Sequence, residues 1–159
     1  MSETKLPDMT VKDLDELKLV GFRVLCAGDD YINEIPKASS RLSARMKEIK
    51  RVVSPVHQYG AFVVEGDEDD NDGYWVCVEV EEVEDIPPDM VTLTVPPQKY
   101  AVTRHRGNNK KIMDAYDELH RWINEHHYTR LKNQWHIEKF NSWMDAENVD
   151  VELYDTISD

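Results

Sequence analysis

The chain has 159 residues and a mass of 18.6 kDa, enough for one ordinary domain and too little for two domains with separate cores. Its 32 acidic side chains outnumber 19 basic ones, and the net charge of -13 disfavours direct nucleic-acid binding and favours a cationic ligand. Hydrophobic residues make up 40% and recur along the whole chain, so we expect a folded protein.

The sequence also predicts where the protein is located and the state of its cysteines. No apolar run approaches the roughly 20 residues that cross a bilayer, and the first residues lack the charged and apolar regions of a signal peptide. We therefore expect a cytoplasmic protein with no membrane contact. Cys26 and Cys77 do not form a CxxC pair, which is typical of reduced, buried thiols rather than a disulfide scaffold.

The first half of the chain begins with a polar N-terminal extension, residues 1–16, where apolar residues spaced at about three predict one short helix beginning near Thr10. The pattern then changes to strand, helix, strand, strand. We predict a strand over 19–27, a helix over 35–53 with Pro36 in its first turn, and strands over 57–65 and 73–83. These last two strands form a hairpin around the acidic loop 66–72, which we expect to be solvated.

The second half repeats this order after Pro87–Pro88. We predict strands over 90–95 and 99–105, a helix over 112–126, and strands over 135–143 and 149–157. The chain is therefore predicted to be α+β, one domain over 17–159 with two strand-helix-strand-strand modules at about 17–85 and 88–159. Each module is too small to close a core alone, so we expect the two to pack together.

The strand over 73–83 has two faces of different character. The first face carries Tyr74, Val76, Val78 and Val80, and the second carries Trp75, Cys77, Glu79 and Glu81. The first face suits a core covered by a helix. A solvent face seldom carries Trp and Cys, and a core face seldom carries an unpaired Glu, so a ligand cleft would explain the second face.

A similar mixture occurs around Glu138, which shares a strand face with His136 and Phe140. An acid among aromatic walls resists ionisation because it is desolvated, yet it favours a cationic guest whose charge and ring contacts replace the lost water. The alternative is that Glu79 and Glu138 are ordinary exposed residues of an acidic chain.

Several segments, read in order from about Phe22 to Tyr154, resemble the GyrI-like small-molecule-binding family, the effector-binding domain of AraC-type and MerR-type activators, and in particular its short stand-alone members. This resemblance implies two modules in a pseudo-twofold arrangement, an antiparallel sheet with two main helices, and a ligand cleft between the modules. It also implies a buried glutamate at Glu138. The segments include Gln58-Tyr59-Gly60, Val78-Glu79-Val80, Pro88-Asp89-Met90, His105-Arg106-Gly107 and Ile137-Glu138-Lys139-Phe140.

Together these features predict a stand-alone module that binds cationic or amphiphilic aromatic compounds and acts by sensing or sequestration. Glu138 is the candidate charge partner and Glu79 a second acid. The remaining candidate ligand-binding residues are Tyr59, Phe62, Trp75, Cys77, Tyr100, His136, Phe140 and Trp143.

Two alternatives remain open. One is a hydrolase of reactive cyclopropane-containing natural products, an activity known in the family, with Glu138 beside His136 as general acid or base. The other is a protein partner recognised through the acidic surface, as in a gyrase inhibitor. No catalytic triad, phosphate loop or metal-ligand spacing is present, so we expect no cofactor and no metal site.

Overall fold

The computed structural model describes residues 9–65, 72–143, 145 and 147–159. Its helices are α1 (Tyr31–Ala44) and α2 (Ile112–Glu125). Its strands are β1 (Thr10–Leu14), β2 (Leu17–Val24), β3 (Gln58–Val63), β4 (Tyr74–Glu79), β5 (Val91–Val95), β6 (Gln98–Gly107), β7 (Thr129–Arg130), β8 (Trp135–Ser142) and β9 (Val149–Ser158).

The strands form one antiparallel sheet in the order β1-β6-β9-β8-β3-β4-β2-β5, with β7 paired to β9. The predicted α+β class, with an antiparallel sheet and two main helices, is confirmed. The short strand β7 was not predicted.

The two halves are related by a pseudo-twofold axis. Outward from the middle of the sheet, the order β3-β4-β2-β5 is repeated as β8-β9-β6-β1. Each helix has 14 residues and follows a 3-10 turn of three residues. The strand pairings of the first half match those of the second half when Gly60 of β3 is taken as equivalent to Glu138 of β8. Gly60 and Glu138 also lie directly opposite each other in the β3–β8 pair. The axis therefore passes beside the Gly60–Glu138 pair.

Each helix covers the outer strands of its own half. The core under α1 centres on Val20, Phe22, Leu42, Val76 and Val78, all buried. The core under α2 is the equivalent cluster of Ala101, Leu119, Ile123, Val151 and Leu153. Because the apolar stripe of each helix faces its own strands, the central strands β3 and β8 are left between the two helices.

The opposite face of the sheet buries a third core that no helix covers among the described residues. Leu19 of β2 and Tyr100 of β6 are fully buried in it, although four strands separate β2 from β6 in the sheet. Side chains so far apart in strand order meet only if the sheet curls around them. This curl encloses the apolar residues of the face.

The predicted N-terminal helix is wrong, because residues 10–14 form strand β1. This strand pairs with β6 from Thr10 opposite Val102 to Leu14 opposite Gln98. The apolar spacing of the segment fits either structure, and the free edge of β6 provides hydrogen-bond partners that an isolated short helix lacks. This part of the predicted extension belongs to the sheet.

The predicted limits of the first helix are also wrong. Helix α1 begins at Tyr31, so Pro36 is inside the helix rather than in its first turn. It ends at Ala44 because Arg45 leaves the helical conformation, with φ -114° and ψ 14°, and its side chain binds Glu48 and Asp89. The apolar spacing continued beyond α1 because Met46, Ile49 and Val52, which follow the helix, still pack on the same core.

The predicted hairpin is confirmed as β3 paired with β4. Residues 66–71 of the acidic loop lie outside the described residues. Neither helix in the described part of the chain has the length and hydrophobicity to cross a membrane.

Candidate functional site

A cavity of about 400 Å³ lies between the two helices, over the central strands β3 and β8. This volume is within the range of small-molecule sites. Helix α1 supplies one wall, and the start of α2 and the β8–β9 connection supply the other. The lining residues include Tyr31, Ile32, Ile35, Pro36, Ser39 and Ser40 on one side, Asn109, Ile112, Phe140, Trp143 and Val149 on the other, and Gln58, Gly60, Tyr74 and Glu138 on the sheet.

Glu138 lies at the floor of this cavity, and only 9% of its surface is exposed. The Tyr74 hydroxyl donates a hydrogen bond of 2.6 Å to Oε1, and the Tyr116 hydroxyl donates one of 2.6 Å to Oε2. Tyr74 comes from β4 of the first half and Tyr116 from α2 of the second. Both halves therefore fix the orientation of this carboxyl group.

The charge of Glu138 has no counterion in the cavity, because no lysine, arginine or histidine is among the described lining residues. Burial raises the pKa of Glu138 and outweighs the two tyrosine hydrogen bonds, which act to lower it. Burial and the neighbouring carboxyl also raise the pKa of both tyrosines, so they stay hydroxyl donors. The site is a desolvated carboxyl group that a cation would stabilise in its ionised form.

Gly60 makes room for this arrangement. A Cβ atom at position 60 would lie only 1.7 Å from the Tyr74 hydroxyl oxygen. Tyr74 can therefore cross β3 and reach Glu138 only because position 60 has no side chain. The same gap leaves the cavity open toward α1.

A neutral polar network forms the wall at α1. Ser39 Oγ donates to Gln58 Oε1 at 2.5 Å, and Gln58 Nε2 donates to the Ser39 carbonyl and to Ser43 Oγ, each at 3.0 Å. Trp143 Nε1 donates to Ser43 Oγ at 3.2 Å, which ties the β8–β9 connection to α1. Gln58 is buried, and these bonds satisfy its amide.

Four of the ten predicted site residues are among the lining residues of this cavity, Glu138, Tyr59, Phe140 and Trp143, although the ring of Tyr59 is buried in the core of the opposite sheet face. The other six do not line it. Trp75, Cys77 and Tyr100 are buried in the core of the opposite sheet face, which explains why that face mixes rings and a thiol. The predicted ligand cleft on that face is therefore not the cleft that contains Glu138.

Glu79 also lies on the opposite face. It lines a second, smaller cavity of about 260 Å³ together with Tyr59 and Lys139. The Tyr59 hydroxyl donates to Glu79 Oε1 at 3.2 Å. The two predicted acids are therefore on different faces of the sheet and cannot contact the same small ligand.

His136 and Phe62 are on the same sheet face as Glu138 but lie under α2, away from the cavity. Nδ1 of His136 lies 3.0 Å from Oδ1 of the fully buried Asp155, and Phe62 stacks on His136 and on Tyr74. The ring nitrogens of His136 face Asp155 and the Leu131 carbonyl rather than the cavity.

Asp155 is the centre of a buried ionic cluster under α2. Arg130 Nε and His120 Nε2 lie 2.9 and 2.7 Å from Oδ2, and His136 lies at Oδ1. Burial acts to raise the pKa of Asp155, but the two histidines and Arg130 outweigh it and hold this pKa well below the usual range. Sequence reasoning missed this cluster.

Sequence reasoning also missed the two donors to Glu138. Tyr74 was assigned to a core face and is partly buried, and Tyr116 falls in the predicted helix over 112–126 and is buried. The available signal was the phenol group itself, since a buried tyrosine hydroxyl needs a polar partner. Which acid would be that partner depends on the packing of α2 against β8.

Both cysteines are free, and Cys77 is fully buried, which raises its pKa. Among the described residues, no group of three or more His, Cys, Asp or Glu side chains is arranged to hold a metal ion.

The sequence matches the family described as Cass2, integron-associated effector binding protein, over residues 10–157. The chain belongs to this family. The predicted resemblance to effector-binding domains is confirmed, and small-molecule binding is the general property that this family description carries. No curated protein sequence gives a significant match.

Solved structures of the same fold include three that cover nearly the whole chain. The C-terminal domain of EcmrR has a TM-score of 0.73 at 16% identity, covering 97% of this chain and 99% of that one. SAV2435 bound to tetraphenylphosphonium has a TM-score of 0.71 at 18% identity, and the match covers 95% of this chain and 94% of SAV2435. The integron cassette protein VCH_CASS2 of Vibrio cholerae has a TM-score of 0.59 at 15% identity, and the match covers 94% of this chain and 95% of VCH_CASS2. In an EcmrR–DNA complex, the matched region is 58% of the EcmrR chain.

Proposed function

We propose that this Cass2-family protein binds monocationic aromatic or amphiphilic compounds in the cavity between its helices, and acts by sensing or sequestering them. The observation that carries the proposal is Glu138, a buried carboxyl group without a counterion at the floor of a cavity with apolar and aromatic walls. A lipophilic cation would supply the missing charge and would bury its own apolar surface.

The shape of the site supports a guest whose charge is surrounded by rings. Phe140 and Trp143 stand on one side of Glu138, and Tyr31 and Ile35 stand on the other. The carboxyl group is already held by two hydroxyls, so binding a cation requires little reorganisation of the protein. A guest with a strongly hydrated ammonium group would lose more hydration in this cavity than one with a delocalised or shielded charge.

The direct test is titration calorimetry with tetraphenylphosphonium, the cation bound in the SAV2435 structure. The neutral triphenylphosphine oxide serves as the uncharged comparison ligand. We expect Glu138→Gln to weaken binding of the cation by about 1–3 kcal/mol, because a charged hydrogen-bonding partner is lost without a change in shape. Binding of the neutral ligand should change little.

Glu79→Gln is the matched control, since it makes the same substitution on the opposite sheet face. It should leave binding of the cation unchanged. Equal affinity of the wild type and the Glu138→Gln variant for tetraphenylphosphonium, with both proteins folded, would refute the role of Glu138. A larger effect of Glu79→Gln would move the site to the second cavity.

A further inference from the structure

The second cavity lies on the sheet face away from the helices, beside the two-residue connection between β1 and β2. Strand β1 pairs with β6 in one half and β2 pairs with β4 and β5 in the other, so this connection, formed by Asp15 and Glu16, passes from one half to the other. Tyr59 of β3 and Ile137 of β8 line the same cavity. Its volume of about 260 Å³ is below the usual range for drug-sized ligands and is sufficient for a smaller molecule.

Charged side chains of both signs line this cavity. Three are acids, Asp15, Glu16 and Glu79, and one is a base, Lys139. No ion pair within 4 Å joins any of these four side chains to another residue in the described part of the chain. The Tyr59 hydroxyl donates to Glu79 Oε1 at 3.2 Å and so orients that carboxyl group. The cavity therefore presents opposite charges that do not neutralise each other in direct contact.

The acid next to Lys139 in the sheet is already engaged by other groups. Glu152 is the cross-strand neighbour of Lys139. Its two carboxyl oxygens accept hydrogen bonds from Asn141 and Tyr154, and Lys12 Nζ lies 3.9 Å from Oε1. The half-buried ammonium group of Lys139 is therefore available to an anionic group of a ligand.

The pseudo-twofold axis relates this cavity to a region of the other half that has no charged residue at the equivalent positions. The strand registers make the β1–β2 connection equivalent to the β5–β6 connection. Asp15 and Glu16 correspond to Pro96 and Pro97, Glu79 corresponds to Thr156, and Lys139 corresponds to Ala61. Thr156 and Ala61 are fully buried, so that region is packed. Because the scaffold is stable there without charges, the charged cavity is a feature of one half rather than a requirement of the fold.

The unpaired acid and base are well separated. Lys139 lies opposite Tyr59, and Tyr59 lies opposite Cys77, so Glu79 is two strands away from Lys139 and two residues further along the sheet. With strands about 4.8 Å apart and a rise of about 3.4 Å per residue, their Cα atoms are roughly 12 Å apart. A molecule with a cation at one end and a carboxylate at the other spans such a separation, whereas a single small ion does not.

We propose that the second cavity binds a free basic amino acid of the arginine type, with its side-chain cation at Glu79, its carboxylate at Lys139 and its α-ammonium group at the acidic connection. Two positive groups and one negative group are complementary to the three acids and one base of the cavity. A planar, delocalised cation also stacks on aromatic rings and pairs with a carboxylate through two hydrogen bonds, and Tyr59 and Tyr154 line the cavity. This site is separate from the cavity of Glu138.

Calorimetric titration with three related ligands tests the proposal. L-Arginine carries all three charges, L-citrulline has nearly the same shape without the side-chain charge, and agmatine lacks the carboxylate. We expect the wild type to bind arginine about tenfold more tightly than either of the other two, because each of them leaves a charged group of the cavity without its partner.

Two variants assign the contacts, and circular dichroism verifies that both are folded. Glu79→Gln should weaken arginine binding by about tenfold and bring it close to citrulline binding. Lys139→Met should remove the preference for arginine over agmatine. Glu138→Gln is the matched control on the other sheet face and should bind arginine as the wild type does.

The proposal is overturned if the wild type does not bind arginine, if it binds the three ligands equally, or if Glu79→Gln leaves arginine binding unchanged. Competition between arginine and tetraphenylphosphonium would also overturn it, because arginine would then occupy the first cavity. The arginine titration does not depend on binding of the lipophilic cation, so failure of this proposal is distinguishable from failure of the proposed function.

Discussion

The two halves of this molecule have equal helices and matching strand registers, yet they differ at the positions that build the cavity. On the pseudo-twofold axis, Gly60 of the first half faces Glu138 of the second. In the helices, Ile35 of α1 is equivalent to Tyr116 of α2, whose hydroxyl fills the space beside Glu138. The two halves have the same backbone arrangement, but the side chains of the second half fill the space near the axis and those of the first half leave it open. The pocket is therefore asymmetric.

The same contrast applies to the polar groups under each helix. Gln58 and Ser39 in the first half are equivalent to His136 and His120 in the second. The first pair forms a neutral network at the cavity wall, and the second pair binds the buried carboxyl group of Asp155. The neutral network is beside the cavity, while the ionic cluster is sealed from it.

The largest effect should come from breaking the ionic cluster. We expect Asp155→Asn to lower the free energy of unfolding by about 3–5 kcal/mol, because Arg130 loses its buried counterion and the close contacts of His120 and His136 with the carboxylate are lost. Gln58→Ala, which breaks the equivalent neutral network, should lower the free energy of unfolding by only about 1–2 kcal/mol. Urea denaturation of both variants measures this difference.

Equal losses for the two variants would contradict the distinction between the ionic and the neutral cluster. Because the folded-state pKa of Asp155 is lowered, its contribution to stability is present above the unfolded pKa of about 3.9 and is lost only as the pH falls below it. The difference in the free energy of unfolding between the wild type and Asp155→Asn should therefore become smaller in strong acid.

An intermediate effect should follow from filling the empty position on the axis. Gly60→Ala puts a Cβ atom where the Tyr74 hydroxyl lies, so the ring must shift and its hydrogen bond to Glu138 must break. We expect a loss of about 1–3 kcal/mol in unfolding free energy and weaker binding of the cation. Gly28→Ala is the control, since a Cβ there meets nothing within 4 Å. Retention of full affinity by Gly60→Ala would show that Tyr74 does not position Glu138.

The smallest effect concerns Glu138 itself, in the absence of ligand. Its folded-state pKa is raised, so its stability contribution is fully present below the unfolded pKa of about 4.3 and is lost as the pH rises through the folded value. Glu138→Gln should therefore melt a few degrees higher than the wild type at neutral pH, where about 1 kcal/mol corresponds to 2–4 °C.

Scanning calorimetry from mildly acidic to neutral pH verifies this sign, and Glu79→Gln serves again as the control. A melting temperature that drops at neutral pH in Glu138→Gln would mean that the two tyrosine hydrogen bonds need the charge more than burial penalises it. Affinity for tetraphenylphosphonium should show the opposite trend in the wild type, falling as the pH drops and Glu138 becomes protonated.

The hydrophobic periodicity and the composition of the sequence were sufficient to predict most of the fold. The alternation in 73–83 and 135–143, and the helical spacing in 112–126, predicted the elements that form β4, β8 and α2. The errors lie where two structures fit one pattern. Residues 10–14 became a strand because the edge of β6 was free, and α1 ended early because Arg45 binds Asp89, a residue far away in sequence.

The candidate site was only half predictable, for a physical reason that is visible at Glu138 and Glu79. The sequence by itself determined that each acid shares a strand face with aromatic rings, and it determined the net charge that favours a cationic partner. Only the tertiary structure decided which acid faces a cavity. That choice depends on the curl of the sheet, which buries Trp75 and Cys77 on one face, and on the separation of the helices, which leaves Glu138 uncovered on the other.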